Sequence, residues 1–353
     1  MRTMIVVLAL LLAGCASSPR LGDRLPRRGD EIVVAGQYFH TGAPVVLWTD
    51  PGGYDAYRVE RRFTAFERSD WDSTLAEWTS KNDGRVLTPN RYGLRAAGLS
   101  EEQREQVRGG GWSLDQLQER IDQFVLHYDV CGTARQCFNI LHDHRGLSVH
   151  FLIDLDGTIY QTLDLKERAR HATIANDRSV GVEIANMGAY PVGKPNPFDQ
   201  WYATDDAGRT VITIPPRFKD GGLRVAPTTE RPLRPRKDKP IVGNVQGIDL
   251  VMYDLTDAQY ESLAKLSAAL CTVLPKIRPD YPRDEQGGLV TRTLTEDRFA
   301  AFGGILGHYH VQANKQDPGP ALDWDWLIDE TRRLMRERPA AAEPAPRCRH
   351  TPA

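Results

Sequence analysis

A short stretch near the C-terminal end, residues 307–326, constrains this 353-residue chain more than any other. It reads GHYHVQANKQDPGPALDW and continues into Asp-Trp, so two histidines, a lysine and an aspartate fall within ten residues. A Pro-Gly-Pro run follows, and because proline fixes φ while glycine frees it, we expect a shaped loop and neither a helix interior nor a central strand. Imidazole and carboxylate groups bind zinc, and an ammonium group can add a fixed positive charge beside it. The stretch therefore predicts a metal site around His308, Lys315 and Asp317.

Composition limits the class of protein without deciding it. With 41% hydrophobic and 26% charged residues, the chain can bury a sizeable core as one large domain or two small ones. The formal net charge of −2 and the lack of a long basic arm predict no nucleic-acid partner. Function must therefore be sought in the motifs.

The N-terminus predicts export and a lipid anchor. Arg2 precedes an apolar run from Met4 to Ala13, about half of the ~20 residues that a membrane span needs, which is typical of a secretion signal. The run ends in LAGC, which resembles the bacterial lipobox, where cleavage leaves Cys15 as a lipid-modified first residue. Ala16 after it resembles the sorting pattern of Gram-negative outer-membrane lipoproteins. We expect membrane attachment through Cys15, facing the periplasm; the alternative is an ordinary signal peptide with a chance cysteine.

The chain divides into segments of distinct composition. We predict a lipoprotein signal peptide (1–15), a polar flexible tether (16–30), an N-terminal extension packed on the main domain (31–112), the main domain (113–337) and an Ala/Pro-rich tail (338–353). Within the main domain, an insertion at about 191–244 is rich in proline and carries a basic patch. It is either a long solvated insertion or a flap that borders the substrate cleft.

Hydrophobic periodicity predicts alternating strands and helices in the main domain. The apolar run FVLHY is typical of a buried strand that delivers His127 at its end. Ser113 and Gln116 have the spacing of a capping box, and Thr256 is a candidate N-cap. The expected strands of the main domain are 124–128, 148–154, 158–161 and 180–184, and its expected helices are 113–121, 133–144, 255–274 and 324–336. Two further helices, 73–79 and 100–107, are expected in the N-terminal extension.

Five motifs in a fixed order carry a resemblance to a known family. FVLHYD, SVHFLIDLDGTIYQTLD, RHA and SVGVEIAN lie between residues 124 and 186, ahead of the C-terminal loop. Their order and wording are similar to the type 2 N-acetylmuramoyl-L-alanine amidases, which include the peptidoglycan recognition proteins, over about residues 113–335. The resemblance implies an α/β fold: a central mixed β-sheet flanked by helices, with zinc in a groove at the strand ends. The N-terminal extension and the insertion are additions to that fold.

The resemblance implies three zinc ligands, His127, His308 and Asp317. Three protein ligands leave a fourth position for water, as a hydrolytic zinc site requires. His310 is the alternative to His308, since in an extended run the two side chains point to the same side. The family wording favours His308.

The resemblance also assigns the reacting groups. Glu183 matches the catalytic glutamate, Lys315 the lysine two residues before the aspartate ligand, and His171 a substrate-side histidine. The implied reaction is hydrolysis of the amide between N-acetylmuramic acid and L-alanine, in peptidoglycan or in released muropeptides.

The remaining cysteines suggest one cross-link. Cys131 and Cys137 flank a short turn, and a comparable cysteine loop in many peptidoglycan recognition proteins implies a disulfide between them. Cys271 and Cys348 either pair or stay free.

Two other functions compete with the amidase. A non-catalytic peptidoglycan-binding lipoprotein would resemble recognition proteins that have lost a zinc ligand, yet all three ligand types and Glu183 are present. A Cys-His hydrolase using Cys131 near His127 lacks an obvious residue to orient the histidine.

Overall fold

The computed structural model of the chain describes residues 18–57, 92–219 and 221–337. The predicted lipid site at Cys15, the predicted helix 73–79 and the tail with Cys348 lie outside these residues. In the part of the chain that is described, no helix combines the length and the apolar character needed to cross a membrane.

The described elements alternate along the chain. The strands are β1 (Glu31–Val34), β2 (Gln37–His40), β3 (Val45–Leu47), β4 (Tyr92–Gly93), β5 (Gln123–Tyr128), β6 (Phe151–Ile153), β7 (Ile159–Gln161), β8 (Arg168–Ala169), β9 (Ser179–Ile184), β10 (Tyr190–Pro191), β11 (Tyr202–Thr204), β12 (Thr210–Ile212), β13 (Ile241–Val245), β14 (Ile248–Met252) and β15 (Gly304–Gly307). The helices are α1 (Glu101–Gln106), α2 (Leu114–Arg120), α3 (Ala134–Phe138), α4 (Phe198–Trp201), α5 (Asp257–Val273), α6 (Glu296–Ala301), α7 (His308–Val311) and α8 (Trp324–Arg336). Three 3₁₀ turns (Arg108–Gly110, Thr173–Ala175 and Pro216–Phe218) and a π-helical turn (Asn139–His144) complete the set.

A six-stranded mixed sheet forms the centre of the fold, in the order β15-β5-β9-β6-β7-β3. Strands β15, β5, β9 and β6 run parallel, whereas β7 is antiparallel to β6 and pairs in parallel with β3. The middle strands β5 and β9 are almost entirely buried, as their near-continuous apolar sequences lead one to expect. The predicted α/β fold with a central mixed sheet is confirmed.

Helices α5 and α8 cover one face of this sheet. The predicted stripe on α5, which includes Leu263, Leu266 and Leu270, shares a buried core with Phe124 and Val182 of the sheet. Burial of such leucines contributes about 1.5–3 kcal/mol each relative to exposure. The helix pair therefore holds β5 and β9 in place, and with them the side chains at their ends.

Helix starts follow the local capping signals. The hydroxyl of Ser113 accepts from the Gln116 amide at 3.2 Å, while the Gln116 side chain accepts from the Ser113 amide at 2.9 Å. Thr256 and Gln259 form the same reciprocal pair at the start of α5. Both predicted caps are confirmed.

The N-terminal segment takes part in the sheet. Strand β3 supplies the edge beyond β7, and Ile32 and Val34 of β1 lie in the main core with no exposed surface. The predicted N-terminal extension, residues 31–112, thus contributes a strand to the central sheet, which the sequence does not predict.

The proline-rich insertion is exposed along much of its length but is held by a packed apolar cluster. Its side chains build an apolar cluster with Trp201 at 1% exposure. A Cβ at Gly132 would lie 2.3 Å from the Trp201 ring, so the indole packs directly on the loop that follows β5. Arg135 also donates to the Phe218 carbonyl at 2.8 Å. The insertion therefore borders the loop beside the ends of β5 and β9.

Candidate active site

Three neighbouring parallel strands deliver the site to one edge of the sheet. His127 and Glu183 are register partners on β5 and β9. Gly307 at the end of β15 pairs with Leu126, so His308 follows at the same edge. Carboxyl ends of parallel strands meet at one edge, which is where open α/β sheets place their ligands.

The predicted metal ligands meet in a tight triangle. His127 Nδ1 lies 2.7 Å from Asp317 Oδ2 and 3.0 Å from His308 Nδ1, and His308 Nδ1 lies 2.9 Å from Asp317 Oδ2. In a tetrahedral zinc site with bonds of ~2.0 Å, ligand atoms stand about 3.3 Å apart. The triangle needs to open only slightly to hold the ion. These three residues fit zinc by donor type, spacing and burial.

The loop after β15 brings Asp317 back to the strand. The Tyr309 amide donates to the Asp317 carbonyl at 3.1 Å. A Cβ on Gly307 would lie 2.7 Å from Pro318 Cδ, so glycine is what lets the proline close against the strand end. The structure corrects one expectation, because His308–Val311 forms a helical turn (α7) inside the predicted loop.

That turn also excludes His310 as a ligand. Its Nδ1 accepts from the Gly307 amide at 2.8 Å, and its Nε2 donates to the Val290 carbonyl at 2.6 Å. Successive residues of a helix are rotated by about 100°, so His308 and His310 point in different directions. The sequence alternative rested on an extended backbone and was wrong.

Each ligand histidine is held at its outer nitrogen as well. His308 Nε2 lies 2.7 Å from Gln312 Oε1, and His127 Nε2 lies 3.0 Å from His171 Nδ1. Such partners fix ring orientation in metal sites. Sequence analysis missed Gln312, although its position four residues after His308 would have pointed to it once α7 was recognised.

Protonation of the triad suits a cation. Burial would raise the pKa of Asp317, but its hydrogen bonds with His127 and His308 hold that pKa well below the ordinary value. Burial, helped by nearby His308 and opposed by Asp317, lowers the pKa of His127 to about 4. At neutral pH the site thus offers an ionised carboxylate and a neutral His127 imidazole, the forms in which these groups bind metal.

Glu183 stands beside the triad in an unusual electrostatic setting. Burial raises the pKa of Glu183 well above its ordinary value; Asp317 and Asp129 add to this, while Arg145 and Lys315 oppose it. Its Oε2 is buried and has no hydrogen-bond partner among the described residues. A divalent cation nearby would favour the ionised form again. A carboxyl group balanced in this way is suited to exchange protons.

The triad and Glu183 open into one pocket of about 170 Å³. Lys315, Arg145 and Arg170 bring positive charge to its wall, beside apolar side chains such as Ile140 and Leu141. The predicted residues His127, His171, Glu183, His308, Lys315 and Asp317 are all brought together here. A larger hollow of about 720 Å³ beside β1–β4 is lined by none of them.

The two cysteines near the site are free thiols in this structure. Both Cys131 and Cys137 are unbonded, with their sulfurs within 4.8 Å of each other. The implied disulfide is therefore not formed here and stays a prediction. Cys131 donates to the Asp129 carbonyl at 3.0 Å. Its hydrogen bond with Cys137 lowers the pKa of the Cys131 thiol, but burial together with the nearby carboxylates of Asp129 and Glu183 raises that pKa overall. A thiol with a raised pKa is a poor nucleophile at neutral pH, which disfavours the Cys-His hydrolase.

Comparison with known families agrees with this geometry. A family model described as N-acetylmuramoyl-L-alanine amidase (Amidase_2) matches residues 117–211. The chain contains a type 2 N-acetylmuramoyl-L-alanine amidase domain. The match includes His127, His171 and Glu183 and stops before His308 and Asp317, which the fold brings to the same pocket. The chain is thus an enzyme of the peptidoglycan amidase class. No curated protein sequence matches it significantly.

Several solved amidase structures are similar to this one at low identity. A selenomethionine derivative of AmpD is 18% identical, with 70% of this chain and 92% of that chain covered and a TM-score of 0.31. The endolysin amidase LysCS from Clostridium intestinale URNW is 16% identical, with 61% and 86% covered and a TM-score of 0.32. AmiD from E. coli, in complex with anhydro-N-acetylmuramic acid-L-Ala-D-gamma-Glu-L-Lys, is 16% identical, with 67% and 65% covered and a TM-score of 0.34. The assignment rests on the family match and the site.

Proposed function

We propose that this amidase domain uses zinc to hydrolyse the amide between the lactyl group of N-acetylmuramic acid and L-alanine, in peptidoglycan or muropeptides. One observation carries the proposal: a His127–His308–Asp317 triangle with zinc-like spacing opens into the same pocket as Glu183. A metal triad with a carboxylate beside it, in a domain of this family, is suited to amide hydrolysis.

The residues divide the chemistry between them. His127, His308 and Asp317 would hold the zinc, which when bound supplies Lewis-acid activation of water near neutral pH. Glu183 takes the proton of the attacking water and returns it to the leaving nitrogen, as a general base and then acid. Lys315 faces the same pocket and stabilises the negative charge that develops on the carbonyl oxygen, an effect of ~3–4 kcal/mol per well-placed donor.

We further propose that the enzyme works at the outer membrane, facing the periplasm, in cell-wall remodelling or recycling. The support is the LAGC sequence ending at Cys15, since a lipid on that cysteine would anchor the chain beside its polymeric substrate. Cys15→Ala should move the protein from the membrane fraction to the soluble periplasmic fraction. A variant that stays in the outer membrane would overturn the anchor.

A non-catalytic peptidoglycan-binding lipoprotein is the second candidate, because the three cationic side chains of the pocket, Arg145, Arg170 and Lys315, could retain wall fragments without cleaving them. Glu183 separates the two functions. A binding module has no use for a buried carboxylate oxygen that lacks a hydrogen-bond partner among the described residues, since burying such a group is costly.

Digestion of purified peptidoglycan by the full-length protein in mild detergent tests the proposal. Mass spectrometry of the products should show free stem peptides that begin at L-alanine. A zinc chelator should abolish them, and added zinc should restore them. Sedimentation with the wall and no release of peptides would assign the protein to the binding class instead.

A further inference from the structure

His171 lies against the ligand histidine His127 and is held by hydrogen bonds at both ring nitrogens. Its Nδ1 lies 3.0 Å from His127 Nε2, and its Nε2 lies 3.2 Å from Ser179 Oγ. The backbone is held as well, because the amides of His171 and Ala172 donate to Asn176 Oδ1 at 3.1 and 2.7 Å. Both ring nitrogens are therefore engaged by the protein itself.

A glycine in the central sheet makes room for this ring. A Cβ at Gly181 would lie 2.5 Å from His171 Nδ1, closer than real contacts allow. Gly181 sits inside β9, and a glycine in a strand interior weakens the strand. The strand thus has no side chain at the position where the ring of His171 packs.

Proton placement links His171 to the metal site. His127 Nδ1 faces His308 and Asp317, and a nitrogen that binds a metal must offer its lone pair. The ring proton of His127 is then on Nε2, which donates a hydrogen bond to His171 Nδ1. His171 in turn carries its own proton on Nε2 and donates to Ser179 Oγ. This order of donors holds His127 in the metal-binding tautomer.

We propose that His171 is a positioning residue that orients His127 for zinc, with Ser179 as its anchor, and is not chiefly a contact for substrate. The inference rests on the proposed zinc site. Loss of a comparable partner in other metal sites lowers affinity about 10- to 100-fold.

Zinc affinity of the full-length protein, measured by competition with a chromophoric chelator, tests this directly. His171→Leu removes the acceptor and should weaken zinc binding about 10- to 100-fold. His171→Asn can place an amide oxygen near the position of Nδ1 and should recover most of the affinity. His150→Asn is the matched control, since His150 is a buried neighbour that contacts the Gly181 amide at 3.1 Å and no metal ligand. Circular dichroism of the zinc-free proteins checks that each variant folds.

Two results would overturn the inference. His171→Leu could bind zinc like the wild type while its KM for muropeptide rises, which would make His171 a substrate contact. His171→Asn could bind zinc as weakly as His171→Leu, with the zinc affinity of His150→Asn lowered equally. The loss of affinity would then come from disturbed packing and not from the missing hydrogen-bond acceptor. A wild-type protein that binds no zinc would overturn the proposed metal site together with this inference, so the two failures are told apart.

Discussion

At the scale of single residues, the site depends on which ring nitrogen each ligand histidine directs at Asp317. Both ligand rings point Nδ1 at Asp317 and give Nε2 to a second residue, Gln312 for His308 and His171 for His127. A ring fixed at both nitrogens loses little freedom when a metal arrives, which favours binding. The orientations of both ligand rings are therefore fixed by contacts within the protein itself.

Gly181→Ala tests this support without changing any polar group. The added methyl would stand 2.5 Å from His171 Nδ1, so the ring must shift away from His127. We expect weaker zinc binding, by about tenfold or more, together with some loss of stability. Chelator competition measures the first and thermal unfolding the second. If the Gly181→Ala variant bound zinc as tightly as the wild type, the position of His171 against Gly181 would not matter for the metal site.

Asp154 predicts a pH dependence of stability. Burial, with nearby Asp156, raises the pKa of Asp154 to about 8, against hydrogen bonds from the Leu155 and Ala134 amides. The folded state therefore favours the protonated form, and its contribution to stability is full below about pH 4 and is lost as the pH rises through about 8. Asp154→Asn does not titrate. Its free energy of unfolding, relative to wild type, should rise steadily from pH 5 to pH 8.5; a constant difference over that range would contradict the assignment.

At the scale of elements, the parts that could be predicted are those whose signals are local. The caps at Ser113 and Thr256 and the full span of α8 follow from neighbouring residues, so the sequence alone predicts them. The predicted strand 148–154 contracts to β6, and the predicted helix 133–144 splits into α3 and a π-helical turn. Those limits depend on packing against other segments, which no local pattern carries.

The candidate site divides in the same way. The motifs gave six residues that meet in the pocket, yet they could not show that α7 turns His310 away or that His171 lies against His127. The role of His171 depends on its contact with His127, and the two residues are more than forty positions apart in the chain. Likewise, proline-rich composition suggested a solvated insertion, whereas a few aromatic side chains give it a core.

Trp201 tests how the insertion is attached. Trp201→Ala removes a buried indole that packs on Gly132 and should lower the free energy of unfolding by about 3–5 kcal/mol. Val225→Ala, at a 57% exposed side chain of the same insertion, is the control and should change it by no more than about 0.5 kcal/mol. Denaturant titration compares the two. Equal small effects would mean that the insertion is not anchored through this contact.

On the scale of the whole molecule, the sheet gathers residues that are far apart in sequence. His127, Glu183 and His308 reach one edge because β5, β9 and β15 are parallel neighbours, and α5 and α8 fix those strands from one face. The N-terminal segment completes the opposite edge through β3. The family match ends at residue 211. The placement of His308 and Asp317 in the site therefore depends on this topology.

The most direct test of the account measures zinc content and amide cleavage on the same samples of three full-length proteins. Wild type should hold one zinc and release stem peptides beginning at L-alanine. Asp317→Ala should lose both, and Glu183→Gln should keep its zinc while activity falls about 10²- to 10⁴-fold. An active Glu183→Gln protein would contradict the general-base role, and activity without bound zinc would contradict the metal mechanism itself.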